Sequence, residues 1–394
     1  MGRMRFGIFM APYHAVGDNP TLALERDLEL IVRLDELGYD EAWVGEHHTT
    51  GWETIASPEI FLAVAAERTR HIRLGTGAVS LPYHHPLMVA DRIVLLDHLT
   101  RGRVNFGVGP GGHITDALMF GVEPTRLRPM MDEALGVILR LMRDPAPLTV
   151  ESDWFRMRDA VLQLRPHQRP HPPLAVTSME SPAGMALAGR HGAGVLSLAP
   201  TTAPGGPVDL AAQWAVAEQA AAEAGTAVDR AEWRLVLHVH LAETRQRALD
   251  EVREGAARFL LEYVHGATGR PIPVPGPPER IVDQMVERGS WIVGAPEDCV
   301  DALERLGELT GGFGGLLVAA HDWAPREATL RSYELLARHV APRFRDALPG
   351  IEGSYALASA RSEELHRVRS HATDLARRQH ERRAAADDQA SAAR

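Results

Sequence analysis

Gly38-Tyr39-Asp40-Glu41-Ala42-Trp43-Val44-Gly45-Glu46-His47-His48, and then Ile72-Arg73-Leu74-Gly75-Thr76-Gly77-Ala78-Val79-Ser80-Leu81-Pro82, decide how this chain folds. Each begins as an apolar run of strand length, the first directly after a glycine that stops a helix. Each ends in small or polar residues before another helix-like stretch. Polar constellations at the C-terminal ends of successive strands mark a parallel α/β protein whose ligands gather on that edge. The alternation continues outward from this pair. Strands are expected at 5–10, 40–46, 72–79, 103–108, 174–178, 194–198, 234–241 and 314–320. Helices are expected near 20–37, 57–70, 86–99, 124–143, 182–191, 207–225, 244–265, 296–309 and 325–341. Pro20, Pro58 and Pro296 fall in first turns, where a missing N–H costs little, and Ser57 stands where an N-cap belongs. Eight strands alternating with helices predict an α/β fold, a (β/α)8 TIM barrel with insertions at its C-terminal face. A doubly wound sheet would carry Gly-x-Gly-x-x-Gly after its first strand, and here that strand runs into Met10-Ala11-Pro12-Tyr13.

Two insertions stand out inside the barrel domain, residues 1–349. Residues 144–173 are Pro-rich and carry Trp154-Phe155, which suggests a hairpin at the barrel mouth. Residues 266–295 contain the proline run 271–278 and then a short helix, and long loops on a compact fold often serve as lids. Residues 350–394 form a C-terminal extension with a weak helical stripe of Leu357, Leu365, Val368 and Leu375. Its last dozen residues are expected to be disordered.

Composition removes several classes of function. The net charge of −10 disfavours a nucleic-acid partner. No window approaches the roughly 18 apolar residues of a membrane span. A strand at residue 5 leaves no room for a signal peptide, so a cytoplasmic location is expected. The single cysteine, Cys299, excludes an internal disulfide and a multi-thiolate zinc site. All 42 residues counted as Lys or Arg are arginine, which excludes Schiff-base, pyridoxal and P-loop chemistry, all of which need a lysine amine.

The candidate site residues lie at strand ends. Side chains alternate along a barrel strand, so one of His47 and His48 should face the site and the other the wall. Thr76, Gly77 and Ala78 either admit a flat ligand against the backbone or relieve a crowded bore. Gly109-Pro110-Gly111, within the glycine-rich turn 107–112, either exposes N–H groups to an anion or simply connects. Glu180-Ser181-Pro182-Ala183-Gly184 opens a helix, with Ser181 as N-cap and free N–H groups suited to a phosphate. Ser197 ends strand six. Met10, Trp52, Trp154, Phe155, Trp291 and Trp323 would line an apolar mouth for a bulky organic substrate. A second class, a metal-dependent hydrolase, would use His238-Val-His240 with His321 and Asp322. No metal is expected, because such barrels place His-x-His on the first strand and bridge with a lysine that this chain lacks. A non-catalytic ligand binder is the third class.

In order, the chain shows Gly-Tyr-Asp-x-x-Trp-x-x-Glu-His-His, Leu-Gly-Thr-x-x-x-x-Leu-Pro-x-x-His-Pro, Leu-Asp-x-Leu-Thr-x-Gly-Arg at 96–103, Gly-Val-Gly-x-Gly, and Met-Met-Asp-Glu-Ala-Leu at 130–135. Over residues 4–343 this pattern resembles the bacterial luciferase-like, flavin-dependent monooxygenases, and most the branch with limonene and alkanal-type enzymes. The resemblance implies a two-component monooxygenase that takes reduced FMN from a separate NAD(P)H:flavin reductase. With O2 it would oxygenate a small apolar substrate through a flavin C4a-(hydro)peroxide, by Baeyer–Villiger, epoxidation or hydroxylation chemistry. It implies that His47 handles protons beside the flavin and that a non-prolyl cis peptide at Gly77–Ala78 packs on the ring. Asn105 and Gly109 would line the ring, and Glu180 and Ser181 would lie near the tail. A homodimer packed through the helices after strands two and three is implied as well. Two departures stand out: Pro110 replaces an arginine that grips phosphate in luciferase, and Gly109 replaces its reactive cysteine. Coenzyme F420 is the rival cofactor on this fold.

Overall fold

The computed structural model describes residues 3–11, 13–198 and 209–392. All eight expected strands form: β1 (Arg5–Met10), β2 (Glu41–Val44), β3 (Arg73–Thr76), β4 (Val104–Gly109), β5 (Leu174–Ser178), β6 (Gly194–Leu198), β7 (Trp233–Leu241) and β8 (Gly315–Ala319). Each pairs in parallel with the next, and β8 returns to β1 with Arg5 opposite Gly315, which closes the barrel. Two short strands were not expected. Val79–Ser80 pairs with the end of β4, and Trp291–Gly294 pairs with His238–Leu241 of β7.

The strand alternation fixes what lies inside. In β1, Phe6, Ile8 and Met10 join the main core with the helices, whereas Phe9 joins Trp43, Ala175, Leu196, Val236, Leu317 and Ala319 in the bore. Trp43 is the largest of these, and its neighbours are small because of it. A Cβ at Gly75 would enter the Trp43 ring, and one at Gly107 would meet that ring and the Thr76 carbonyl. Gly75, within β3, is therefore small because the Trp43 ring fills the bore beside it. Thr76 faces its neighbour strand: its hydroxyl donates to the Gly107 carbonyl (2.7 Å) and accepts the Gly107 N–H (2.9 Å). Below Trp43 the bore is polar. Arg234 grips both oxygens of Glu41 (2.6 and 2.8 Å), Trp43 Nε1 donates to Glu41 (2.9 Å), and Arg73 Nε donates to Asn105 Oδ1 (2.9 Å).

Eight helices start within a few residues of their expected positions, as Pro20–Glu36, Pro58–Arg68, Pro86–Leu99, Leu127–Arg143, Ala183–His191, Arg245–Arg258, Pro296–Thr310 and Arg326–Leu335. A ninth, Leu210–Ala224, was expected from residue 207, and its first positions lie outside the described residues. Ser57 does not cap its helix; its hydroxyl donates to Glu59 instead (2.9 Å). The helix after β7 continues through a π-helical stretch, Phe259–Ala267. The insertion before β5 does form a hairpin, Leu148–Glu151 with Arg156–Ala160. The chain divides into two compact units, Met1–Arg345 and Asp346–Arg394, where the expected boundary lay at 349/350. In the second unit Ser362–Ala392 is one helix, so the residues expected to be disordered continue it as far as they are described, as their Ala content favours. Among the described residues no helix is long and apolar enough to cross a membrane.

Candidate active site

His47 follows β2 on the inward side of the alternation that runs through Glu41 and Trp43, and loops from elsewhere in the chain close on it. Its Nδ1 lies 3.1 Å from Asp116, at the start of the short helix Ile114–Met119, and its Nε2 lies 3.3 Å from Glu53. The His48 N–H and the Thr49 hydroxyl also donate to Asp116. Glu53 is buried and holds two further partners, His113 Nε2 at 2.6 Å and the Tyr263 hydroxyl, which donates at 2.7 Å. The His113 ring sits 4.1 Å from His47. Burial works against a charged imidazole at His47, but Glu53 and then Asp116 outweigh it and hold its pKa above the ordinary value. Burial likewise opposes the Asp116 carboxylate, yet hydrogen bonds from His47 and Thr49 bring it to about 2. Burial, with the charges around Tyr13 and Glu53, keeps the Tyr263 phenol protonated far above its usual range, so it is a fixed donor.

His48 takes the other side. Its Nε2 bonds Glu46 (2.9 Å), which also receives His84 Nε2 (2.7 Å) and the Ser80 N–H (2.9 Å). Glu53, Asp116, His113 and Tyr263 were not singled out from the sequence. The glycine-rich turn 107–112 ends one residue before His113, and that adjacency was the available signal.

His47, Glu53 and His113 bring three ligand-type atoms within 4.8 Å of one another. Ligand atoms around a tetrahedral zinc stand roughly 3.4 Å apart at the usual bond lengths. The direct 2.6 Å bond between His113 and Glu53 is too short for that, and the arrangement is a hydrogen-bond network. The hydrolase alternative is not assembled either. His240 Nε2 turns to Glu251 (2.9 Å), and Asp322 is engaged by His14 (3.0 Å) and Arg26 (3.3 Å).

Beside His47 the mouth floor is small. The Gly77–Ala78 peptide is cis, and Gly77 rests over Phe9 and Trp43. A Cβ at Gly109 would stand 2.9 Å from Thr177 Oγ1 and 3.4 Å from Ala78 Cβ. Gly111 adopts φ +99°, with Tyr83 filling the space a side chain would need, and Pro110 between them is half-buried. Helix Ala183–His191 begins one residue later than expected, with Pro182 as its cap residue and the Ala183 N–H donating to Ser181 Oγ (3.3 Å). Gly184 packs directly on β5 at Thr177 and Ser178. Ser178 Oγ is buried there without a partner, while Glu180 is exposed and its carbonyl is held by Gln213 (3.1 Å). A flat ring over Gly77–Ala78 and Gly109, with a phosphate at the free N–H groups and Ser178, fits these residues.

Two expected cofactor contacts lie elsewhere. Asn105 faces inward but sits below the Trp43 layer, bonded to Arg73. Ser197 points out of the bore and accepts the Trp233 indole N–H (2.9 Å). Of the expected pocket residues, Trp52, Trp291 and Trp323 come together with Tyr13, Phe259 and Tyr263. Met10 does not, because it faces the helical layer. Trp154 and Phe155 do not either: the hairpin packs against helix Leu127–Arg143, where Trp154 donates to Glu133 (2.7 Å), and Phe155 meets His85.

The luciferase-like monooxygenase family model matches residues 4–312. Over 356 residues the chain is 51% identical to a 4-hydroxyprotoasukamycin monooxygenase of Streptomyces nodosus subsp. asukaensis, covering 90% of this chain and 96% of that one. It is 46% identical to a limonene 1,2-monooxygenase of Rhodococcus erythropolis, covering 89% and 90%. Among solved structures, the oxygenating constituent of a Pseudomonas putida 3,6-diketocamphane monooxygenase, a type II Baeyer–Villiger enzyme in complex with FMN, superposes with a TM-score of 0.74. That match has 25% identity and covers 86% of this chain and 98% of that one. With the closed barrel and the His47 constellation at its mouth, these matches place the chain in the family of luciferase-like, flavin-dependent monooxygenases.

Proposed function

We propose that this chain is the oxygenating component of a two-component system, using reduced FMN from a separate NAD(P)H:flavin reductase, together with O2, to oxygenate a bulky, mainly apolar organic compound in the cytoplasm. The observation that carries this reading is the meeting of His47, held between Glu53 and Asp116, with the small-residue floor at Gly77, Ala78 and Gly109. Bound reduced FMN would supply the electrons that activate O2. The rest falls to the chain's own groups. His47 holds a proton at the flavin edge. Ser178 and the free N–H groups near 183 take the phosphate. Tyr263, reaching from the π-helical segment to Glu53, and the tryptophans around it exclude water. FMN is favoured over F420 by the FMN complex of the diketocamphane relative. Of the three arginines that could meet a longer acidic tail, Arg126 pairs with Asp153 and Arg165 bonds the Arg143 carbonyl (2.7 Å), while Arg128 is exposed.

The test is stopped-flow absorbance after anaerobic mixing with chemically reduced FMN and then with oxygen. The expected result is a reappearance of oxidised flavin that is at least tenfold slower than for free FMN. Oxidation as fast as free flavin would overturn the reading.

We also propose a homodimer through the helices after β2 and β3. Ile60 and Val64 on Pro58–Arg68, and Met88, Leu95 and Leu99 on Pro86–Leu99, are large exposed apolar side chains, a concentration that marks an interaction surface. Leu95→Arg should convert a dimer into a monomer in sedimentation velocity. A dimer that survives that change would place the interface elsewhere.

A further inference from the structure

We propose that the barrel mouth selects an oxygenated substrate: His321 and Trp323, beside His238, form a hydrogen-bonding anchor for a carbonyl or hydroxyl on an otherwise apolar ring compound. The proposal rests on the monooxygenase reading for what becomes of the substrate, not for how it binds.

The anchor lies where β7 and β8 open into the mouth. The His321 ring stacks on Trp323 at 4.0 Å and 14°, and His238 lies against the same indole at 4.8 Å and 28°. Trp291 (4.3 Å) and Phe259 (5.5 Å) complete an aromatic wall. His321 and Trp323 are more than nine-tenths buried. Within this wall His321 Nδ1, His238 Nδ1 and Trp323 Nε1 have no hydrogen-bond partner. Four tryptophans elsewhere in the chain behave differently. Trp43, Trp154, Trp214 and Trp233 each donate to a protein oxygen. Buried polar atoms are normally paired, and leaving them unpaired is costly, so a cluster of orphans calls for an external partner.

The chemistry of that partner follows from the atoms. Trp323 Nε1 can only donate, so it needs an acceptor. His321 Nε2 approaches the Val239 carbonyl (3.4 Å), which assigns the ring hydrogen to Nε2 and leaves Nδ1 as an acceptor. Burial drives both imidazoles to the neutral form, His238 to about 3 and His321 well below its ordinary value. The anchor thus offers a neutral donor beside a neutral acceptor, a match for a carbonyl or hydroxyl. His321 lines a cavity of about 250 Å³ in which Tyr13, Leu30 and Ala320 stand beside the charged Arg26, Arg258 and Asp322, and Trp323 lines a gap of about 10 Å³ that shares Tyr13, Arg258 and Asp322 with it. A cavity of roughly 150 Å³ already accommodates benzene.

The test uses two probes with one carbon skeleton: limonene, a hydrocarbon, and carvone, which adds a ring carbonyl. Each is titrated calorimetrically into flavin-free protein, so the outcome does not depend on whether oxygenation occurs. Carvone should bind about tenfold more tightly than limonene. Trp323→Phe keeps the aromatic wall and removes the donor; it should erase that preference and leave limonene affinity within about twofold. Equal affinities in the unaltered protein, binding of neither probe, or an equal loss of both in the variant would overturn the proposal. The comparison of the two probes in the unaltered protein stands even if the variant does not fold.

Discussion

His47→Asn is expected to leave the barrel folded and FMN binding within a few-fold of normal, while oxygenated product per O2 consumed falls by roughly 10²- to 10⁴-fold, the range of a lost general acid–base group. The oxygen consumed would appear as hydrogen peroxide, so peroxide yield against product is the measurement. Product formation unchanged in the variant would remove His47 from the chemistry. The geometry sets the direction. Nδ1 is pinned by Asp116 and Nε2 faces Glu53, so the ring cannot turn away without breaking two charge-assisted contacts. Asparagine can keep one of them, which is why the fold should survive.

The pH dependence carries a second sign. The groups that face His47 are Glu53, Asp116, Glu46 and the His113 ring, and the carboxylates raise its pKa. A raised pKa means the charged imidazole contributes stability below its ordinary value near 6.5, and that contribution is lost as pH rises through the folded-state value. Coupling should fall along that same alkaline limb. Glu53→Gln removes the charge and keeps the size, so the limb should move to lower pH. A limb that stays in place would assign it to another group.

How much of this was legible from sequence depends on the physics of each part. The eight barrel strands were, because a parallel strand buried on both faces reads as a short apolar run closed by glycine or a polar end. Which way each residue points was harder. Buried runs lack the polar alternation that reveals facing, so the sequence suggests Met10 where Phe9 faces the bore, and Ser197 where Leu196 does. Depth was hidden as well. Asn105 has the right facing but sits one layer too low, beneath a tryptophan that the sequence marks only as large. The hairpin tryptophan misled because an exposed apolar pair reads the same whether it covers a mouth or a helix. Glu53, the pair His113 and Asp116 at the start of one short helix, and Tyr263 of the π-helical stretch come from three separate segments and meet only when the barrel closes. No local spacing records that meeting. The unpaired atoms of His321 and Trp323 are visible only once the hydrogen bonds of the folded chain have been traced.

Glu41→Ala is expected to lower the stability of the barrel by about 3–5 kcal/mol, as for other buried ion pairs broken on one side. Glu41 has no exposed surface, and Arg234 has 2% of its side chain exposed. Removing the carboxylate leaves the Arg234 guanidinium with only the more exposed Glu232 (3.0 Å) as counter-charge, frees Arg5 from its 3.2 Å contact, and leaves Trp43 Nε1 without an acceptor. Denaturant unfolding is the measurement; a loss below about 1 kcal/mol, far short of the usual cost of a stranded buried charge, would show that water can enter the plug. The penalty is one of orphaned charge rather than lost attraction, so Glu41→Leu combined with Arg234→Met should be less damaging than Glu41→Ala alone. Acid should narrow the gap between the normal protein and Glu41→Ala. Burial opposes the Glu41 carboxylate, but Arg234 outweighs it and holds its pKa below the ordinary 4.5. Its contribution is therefore complete above that value and is lost as pH falls through the lower folded-state value. The plug also reaches the chemistry. The guanidinium lies 5.1 Å from the centre of the Trp43 ring, and the Cβ of that tryptophan lies against Gly77 at the cofactor floor. Variants that loosen the plug should weaken FMN binding although they touch no residue of the site, and a Trp43 that holds its place without Glu41 would leave FMN affinity unchanged.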